Sequence, residues 1–390
     1  MPIIDNSGMS VEEEKLWLRT WLEISVAALQ DNYTTFRELI GPGCRLMAIA
    51  KSNAYGHGLI DYSRTMQALG VDWIGVDSIV EAVKLRQHGI TIPILVLGYT
   101  LPQWFAMATE QQISLTISTL DSLRQIAQRR LSNLRLHLKI DTGMHRQGFQ
   151  LEELPEVCRF IADQQFAGQV EGVYTHFAAA KNPAFPAETQ QQLAQFTDAV
   201  SIIDAAGLRP LRHAAATGGT LVFPETHFDM VRIGIGLMGY WPSHETKACF
   251  GDHARLRPAM TWKTVVTEVK TVRKGEAIGY DFTEVLRRDS TIAILPIGYW
   301  HGYRRSLSGI GHVLVHGRRA RVAGRISMDM ICIDVTDIGS VHCGDEVTLI
   351  GTDGDETVDI YELARLSETS WYETLTQINP LIKKFYLPAE

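Results

Sequence analysis

Lys51 closes an apolar run, LMAIA (46–50), and is followed by SNAYGHG (52–58). An amine at such a place is the nucleophile that Schiff-base chemistry needs. The plainer alternative is a lysine reaching from a strand end into water. The small residues, the tyrosine and the glycines after it let the backbone pass close to a ligand. Other chemically capable residues end similar apolar runs: Asp77, Lys139 with Asp141 and Thr142, His176, Thr217 with Gly218 and Gly219, and Arg232 with Gly234. The set holds an amine, an imidazole, a guanidinium and glycine-rich turns whose N–H groups can cradle an anion. Gly234–Gly239 also matches GxGxxG, but Pro242 and a polar loop follow it, where a dinucleotide site needs a helix. No GxSxG elbow occurs, and the histidines lack metal-ligand spacing, so neither a serine nucleophile nor a metal is expected.

These residues need a scaffold that gathers strand ends on one side. Apolar runs recur as RLMAIAK (45–51), DWIGVDS (72–78), PILVLGY (93–99), SLTIST (114–119), RLHLKIDTG (135–143), VEGVYTHF (170–177), LRHAAAT (211–217) and MVRIGI (230–235). They lack strict alternation, as strands covered on both faces do. Amphipathic stretches such as VEAVKLRQHG (80–89) and LDSLRQIAQRR (120–130) lie between most of them, although the last interval leaves little room for a helix. Eight such units in roughly 200 residues predict a (β/α)8 barrel, α/β in class, with its site at the C-terminal strand ends.

After Pro258 the pattern changes. MTWKTVVTEVKTV (260–272), STIAILPIGY (290–299), HVLVHG (312–317), ARVAG (320–324), MICIDVT (330–336) and DEVTLIG (345–351) predict a mostly antiparallel β-domain, with short helices over 358–366 and 372–378. The division is placed at 20–255 for the barrel and 256–390 for the β-domain. Residues 1–19 read as a flexible extension, and WLEIS (21–25) could join either unit.

The chain's 390 residues, 45% hydrophobic and 21% charged, suffice for a large core. A net charge of −7 gives no basic surface for nucleic acid. The five cysteines are scattered and never spaced CxxC, which fits a reducing cytoplasm better than a disulfide framework or a zinc site. The N-terminus has no apolar signal region, and no run approaches the ~18 residues that span a membrane.

AIAKSNAYGHG resembles the cofactor-lysine motif of the alanine racemases, a family built on a barrel that binds pyridoxal 5'-phosphate. From about Arg19 onward the likeness continues in order through LKIDTGMHRQGF, VYTHF, MVRIGIGLMGY, IGYDFT, LPIGYWHGY, GRISMD and SWYETLTQI. The resemblance implies that Lys51 carries the cofactor as a Schiff base and is one of two acid–base groups. Tyr280 is the other, reaching the opposite face of the substrate from a partner subunit, so that a homodimer holds two sites at its interface. Arg232 would face the pyridine nitrogen. It can only donate, so that nitrogen stays unprotonated. His176 would bridge Arg232 and Tyr280. Tyr55, Thr217, Gly234, Tyr372 and the N–H of Ile235 would hold the phosphate. Arg146 and the N–H of Met328 would meet the substrate carboxylate, and Tyr299 would line the access corridor. Lys139 matches a lysine carbamylated in many members. Taken without the motifs, Tyr280 would be a half-buried strand tyrosine, Arg232 a salt bridge at the barrel rim, His176 a core histidine and Lys139 the partner of Asp141.

The chain departs from the family at several places. Ala216-Thr217-Gly218-Gly219 stands where Asn-Ser-Ala-Ala is usual, and Trp300-His301 follows Tyr299 in place of Ala-Asp. Ser327 takes a position often held by cysteine, and Leu381-Ile382-Lys383-Lys384 replaces Arg-Val-Pro-Arg. None of these removes a proton-transferring group. They leave serine or another small amino acid as an alternative substrate. A barrel decarboxylase or a non-catalytic cofactor-binding protein are the alternatives of other kinds. Arg232 speaks against the first and the β-domain against the second.

Overall fold

In the computed structural model, which describes residues 10–388, the first strand, β1 (Thr20–Ser25), does not join the barrel that follows it. The barrel strands are β2 (Arg45–Ile49), β3 (Trp73–Val76), β4 (Ile94–Val96), β5 (Ile113–Ile117), β6 (Leu136–Lys139), β7 (Val170–Tyr174), β8 (Leu211–Ala216) and β9 (Met230–Ile233). They pair in parallel in that order, and β9 closes on β2 through Arg45↔Met230 to Ala48↔Ile233. The eight apolar runs of the sequence are these strands. Every residue of β3, β4, β5, β6 and β9 is buried, which is why no alternation showed. Even the last interval holds a helix, Thr217–Val222.

The chain leaves β2 by an uncommon path. Ser52, Asn53, Ala54 and Tyr55 all take left-handed backbone angles, with φ of 56°, 57°, 50° and 50°. None is glycine, and such a conformation costs about 1–2 kcal/mol per residue. Neighbours hold the turn. Ala54 N–H donates to Ala50 O at 2.8 Å. Ser52 N–H donates to Glu81 Oε1 at 2.8 Å, and Leu59 N–H to Asn53 Oδ1 at 3.0 Å. Glu81 Oε2 in turn accepts from Asp77 and Ser78 N–H, so one carboxylate ties the turn after β2 to the turn after β3. Strain concentrated beside Lys51 points to a position the fold keeps for chemistry.

The second unit is a sheet built from β10 (Met260–Val265), β11 (Glu268–Val272), β12 (Ala277–Ile278), β13 (Glu284–Val285), β14 (Ser290–Leu295), β15 (His312–Val315), β16 (Arg318–Ala323), β17 (Ile331–Asp334), β18 (Glu346–Asp353), β19 (Glu356–Val358) and β20 (Lys384–Leu387). The main sheet runs β11-β14-β17-β16-β15-β18-β10-β1-β20, with β19 paired to β18 and β12–β13 a separate hairpin. Its neighbours are antiparallel except β1 with β20. The run 260–272, read from sequence as one strand, breaks at Val266 and Thr267. Val266 N–H bonds Asp345 O while Thr267 N–H bonds Ile294 O, so its halves serve different partners.

The barrel unit takes Ala27–Ala54 and Leu59–Pro258, and the sheet unit takes the described residues up to Val26, Tyr55–Gly58 and the described residues from Ala259 on. Residues 20–26, counted with the barrel from sequence, therefore lie in the sheet unit, where β1 bonds β10 and β20. Of the extension 1–19, residues 1–9 lie outside the described residues. Val11–Lys15 is a helix capped by Ser10, and Lys15 pairs with Glu23 at 2.9 Å.

Candidate active site

Basic side chains gather at the C-terminal ends of the barrel strands. Arg232, at β9, is 3% exposed, and no carboxylate among the described residues pairs with it. Its guanidinium donates from Nη2 to Thr175 O at 2.7 Å and to Ala214 O at 2.8 Å. It meets His176 Nδ1 at 3.3 Å and, from Nη1, His213 Nδ1 at 3.0 Å. Arg232 thus makes no salt bridge at the barrel rim among the described residues, and His176 lies against it. Lys139, ending β6, is buried with its Nζ 4.7 Å over the Tyr174 ring, which Arg232 flanks at 5.1 Å. Asp141 forms no close ion pair with Lys139 and accepts from Gly143 and His145 N–H, both at 3.0 Å. Arg146 stands exposed on the following loop.

The electrostatics follow from this crowding. Burial, helped by the charges of Arg232 and Arg146, holds the Lys139 amine well below the usual lysine range. Burial and the charges of Arg232, Lys139, Arg146 and Lys51 push His176 well below the usual histidine range. Burial lowers Arg232 to about 10, which leaves it charged at neutral pH. The result is a positive site with neutral imidazoles, suited to a ligand that brings negative charge.

At the ends of β8 and β9 lies a cradle for such a charge. Thr217 Oγ1 accepts from Gly234 N–H at 3.3 Å and Gly236 N–H at 3.4 Å, so its own proton is left to donate. A Cβ on Gly236 would stand 2.7 Å from Thr217 Cγ2 and 2.5 Å from Phe36, so only glycine lets the turn holding Gly234 and Ile235 close on Thr217. Gly234 O also closes that turn, accepting from Leu237 N–H. Gly218, where the family has alanine, lets Lys181 approach: a Cβ would lie 2.8 Å from its Cα. An amine at Lys51, an obligate donor at Arg232 and an anion cradle at Thr217 form a donor set for a carbonyl, a ring nitrogen and a phosphate.

The sheet unit carries the remaining expected residues in two groups. Tyr55 and Tyr372 meet with ring centroids 6.3 Å apart. Burial raises both phenols, Tyr55 to about 12, so each hydroxyl keeps a proton to donate. Tyr280 opens the turn between β12 and β13 and is 68% exposed, with Phe282 75% exposed beside it, so it is not a half-buried strand tyrosine. Asp281 pairs with Arg325 at 2.6 Å, next to the turn that presents Met328. Met328 is likewise exposed rather than core. Ser327 closes that turn, its hydroxyl donating to Met330 O at 2.7 Å and accepting from Met330 N–H at 3.1 Å. Tyr299 N–H donates to Ser327 O and Trp300 N–H to Met328 O, both at 3.1 Å, which keeps Tyr299 and Met328 together. His301 Nδ1 accepts from Gly298 N–H at 3.2 Å, and burial lowers its basicity, so this replacement puts a neutral capping ring where a carboxylate is usual.

Sequence reading missed His137, His213 and Glu171. His137 and His213 are fully buried inside the barrel, and His137 Nδ1 lies 2.9 Å from His213 Nε2. A Cβ on Gly172 would come within 2.2 Å of His137, so that glycine makes the room. One signal was available: His137 stands two residues before Lys139, on the same face of β6. Among the described residues no group of three or more His, Cys, Asp or Glu could hold a metal, and no helix is long and apolar enough to cross a membrane.

Comparison with known proteins finds one family in both units. The family model described as alanine racemase, N-terminal domain, matches residues 24–242, and that for the C-terminal domain matches 259–386. The chain is 41% identical over 371 residues to an alanine racemase of Symbiobacterium thermophilum, covering 94% of this chain and 97% of that one. It is 38% identical to one of Methanococcus maripaludis, covering 94% and 98%. Among solved structures, an alanine racemase from a D-cycloserine-producing Streptomyces lavendulae superposes with a TM-score of 0.88 at 35% identity, over 95% of this chain and 98% of that one. One from Bacillus anthracis with bound L-Ala-P gives 0.88 at 33% identity, over 95% of each chain.

Proposed function

Because the chain belongs to the alanine racemase family, we propose that it is an isomerase that interconverts L- and D-alanine with pyridoxal 5'-phosphate, in the cytoplasm, as a homodimer. The observation that carries this reading is the buried Arg232, an obligate donor without a carboxylate partner, at the strand ends that also carry Lys51 and Thr217. A decarboxylase would set an acid there. The five unpaired cysteines suit a reducing compartment.

When bound, the cofactor supplies an electron sink that makes the substrate's α-proton acidic. Lys51 would hold it covalently through Nζ and take or return the α-proton on one face. Tyr280 Oη would do so on the other, because racemisation needs a proton to leave one face and arrive on the opposite one. Arg232 would donate to the ring nitrogen and keep it unprotonated, which restrains the ring's pull on electrons and disfavours transamination. His176, neutral and against Arg232, would stand between it and Tyr280. Thr217, Gly234, Ile235, Tyr55 and Tyr372 would hold the phosphate. Arg146 and Met328 N–H would hold the substrate carboxylate, with Tyr299 lining the access.

Tyr280 is exposed on its own chain, and so are Phe282, Tyr299, Trp300, Met328 and Met330 of the same unit. A second copy of the chain is the proposed cover for these side chains, and it would bring Tyr280 to the other subunit's Lys51.

Lys139 meets the conditions for carbamylation. Its amine is held below its usual range, and Arg232 and Arg146 would stabilise the carbamate anion formed with carbon dioxide. Protein equilibrated with 13C-bicarbonate should show a carbamate carbon signal that vanishes in Lys139→Ala. Electron density for a bare amine would count against it.

The function itself is tested by incubating the protein and cofactor in D2O with a panel of L-amino acids. The expected result is α-proton exchange with a D-product, strongest for alanine. Exchange confined to serine would move the substrate and implicate the Trp300 and Ala216 replacements. A cofactor-bound protein with no exchange on any substrate would refute the racemase reading.

A further inference from the structure

Arg232 is the start of a buried polar chain that runs through the barrel away from the strand ends. Its Nη1 meets His213 Nδ1 at 3.0 Å, His213 Nε2 meets His137 Nδ1 at 2.9 Å, and His137 Nε2 lies 3.4 Å from Glu171 Oε2. The last link is an ion-pair contact rather than an in-line hydrogen bond. Glu171, second residue of β7, is partly exposed. Its Oε2 accepts from Ser114 Oγ at 2.5 Å, and its Oε1 faces Arg135 Nη1 at 3.9 Å. The Tyr174 ring stacks on His213 at 4.6 Å and Trp73 packs edge-on to His137 at 5.3 Å, so both imidazoles are fixed in place.

The protons in this chain follow from valence. Arginine has no lone pair to offer, so His213 Nδ1 must be bare and accept. Burial and the charge of Arg232 keep His213 neutral, so its proton sits on Nε2 and points at His137 Nδ1. Burial keeps His137 neutral as well, so its proton sits on Nε2, the ring nitrogen 3.4 Å from Glu171 Oε2. Burial alone would raise Glu171, but His137 and Ser114 hold it below the usual carboxylate range, so it is an anion at neutral pH. Every donor points from the arginine toward one carboxylate.

We propose that Glu171 is a positioning residue for the reaction: as the anion at the far end of the chain it anchors His137 and, through it, His213 against Arg232, and so sets the direction in which Arg232 presents its remaining N–H groups. This rests on the reading of Arg232 as the donor to the cofactor's ring nitrogen. Without an acceptor at Glu171, the buried His137 Nε2–H has no outlet. Arg232 still keeps His213 Nδ1 bare, so the tautomers stand, but the loss of the anchor at Glu171 loosens His137 and then His213 and weakens their hold on the guanidinium.

The test is histidine-selective 15N labelling of the cofactor-free and cofactor-loaded protein, with His137 and His213 assigned by substitution to Asn. Two-bond 1H–15N couplings report the tautomers. In the wild-type chain both rings should be bare at Nδ1. Glu171→Gln keeps an acceptor oxygen and should keep both tautomers, with kcat for alanine within a few-fold of wild type. Glu171→Leu should keep both tautomers, because Arg232 still dictates them, but move the His137 and His213 15N signals and lower kcat by about 10–100-fold with little change in KM, the usual scale for losing an outer partner that orients a histidine. A proton on Nδ1 of either wild-type ring would overturn the proposal. So would His137 and His213 signals in Glu171→Leu that stay at their wild-type positions, moved signals with unchanged kcat, or a Glu171→Gln enzyme as slow as Glu171→Leu. The spectra of the cofactor-free protein test the chain of protons whether or not the protein racemises alanine, so failure of this inference is distinguishable from failure of the function.

Discussion

Lys51→Ala is expected to give a folded protein that loses the visible colour of the bound cofactor on dialysis and loses racemisation by about 10^5-fold or more, the scale seen when a covalent nucleophile is removed. The fold should tolerate the change, because the turn after β2 is held by backbone and by Glu81 and Asn53 rather than by the lysine side chain. No neighbour can stand in for it. Lys139 is buried under Tyr174, and Arg232 is spent on carbonyls and imidazoles. The phosphate cradle at Thr217 is untouched, so weak cofactor binding should persist, and a small primary amine at high concentration should restore part of the rate. A Lys51→Ala protein that keeps its colour through dialysis and works within tenfold of wild type would remove Lys51 from the mechanism.

Tyr280→Phe should separate cofactor binding from turnover. The colour should stay, because Tyr280 lies on a hairpin turn of the sheet unit and Lys51 and Thr217 do not depend on it. Racemisation should fall by about 10^2–10^4-fold, the usual worth of a positioned acid–base group. α-Proton exchange in D2O should survive from one enantiomer only, since one of the two faces keeps its base. The partner arrangement adds a sharper result. Lys51→Ala and Tyr280→Phe chains, each inactive alone, should regain about a quarter of the wild-type sites when refolded together in equal amounts, because half the dimers are mixed and each mixed dimer holds one intact pair. Full activity in Tyr280→Phe would refute the two-base assignment. No recovery on mixing would refute the exchange of Tyr280 between subunits.

The barrel was legible because its strands are covered on both faces and so stand out as unbroken apolar runs. Lys51 and Arg232 were legible because they end such runs. The same uniformity hid His137, His213 and Glu171: in a strand without alternation, nothing local tells an inward residue from an outward one. The left-handed turn at Ser52–Tyr55 carries no glycine, so the usual sign of positive φ was missing there. Strained positions near a site are where local rules fail. The hairpin that presents Tyr280 has strands of two residues each, too short for a period to register. β1 and β20 were hard to place because their partners lie at opposite ends of the chain.

That last pairing has a consequence for synthesis. Thr20 in β1 bonds Lys263 in β10, 243 residues later, and its other neighbour, β20, is near the end of the chain. At about 5–20 residues per second, β1 is made roughly ten to fifty seconds before the ribosome delivers β10. Meanwhile the barrel strands can close among themselves. Trp21, Leu22 and Ile24, all buried in the finished sheet, wait unpaired through that interval as an apolar strand with open edges. β1 is therefore completed only once β20 has been made, and until then the newborn chain carries an apolar strand with open edges.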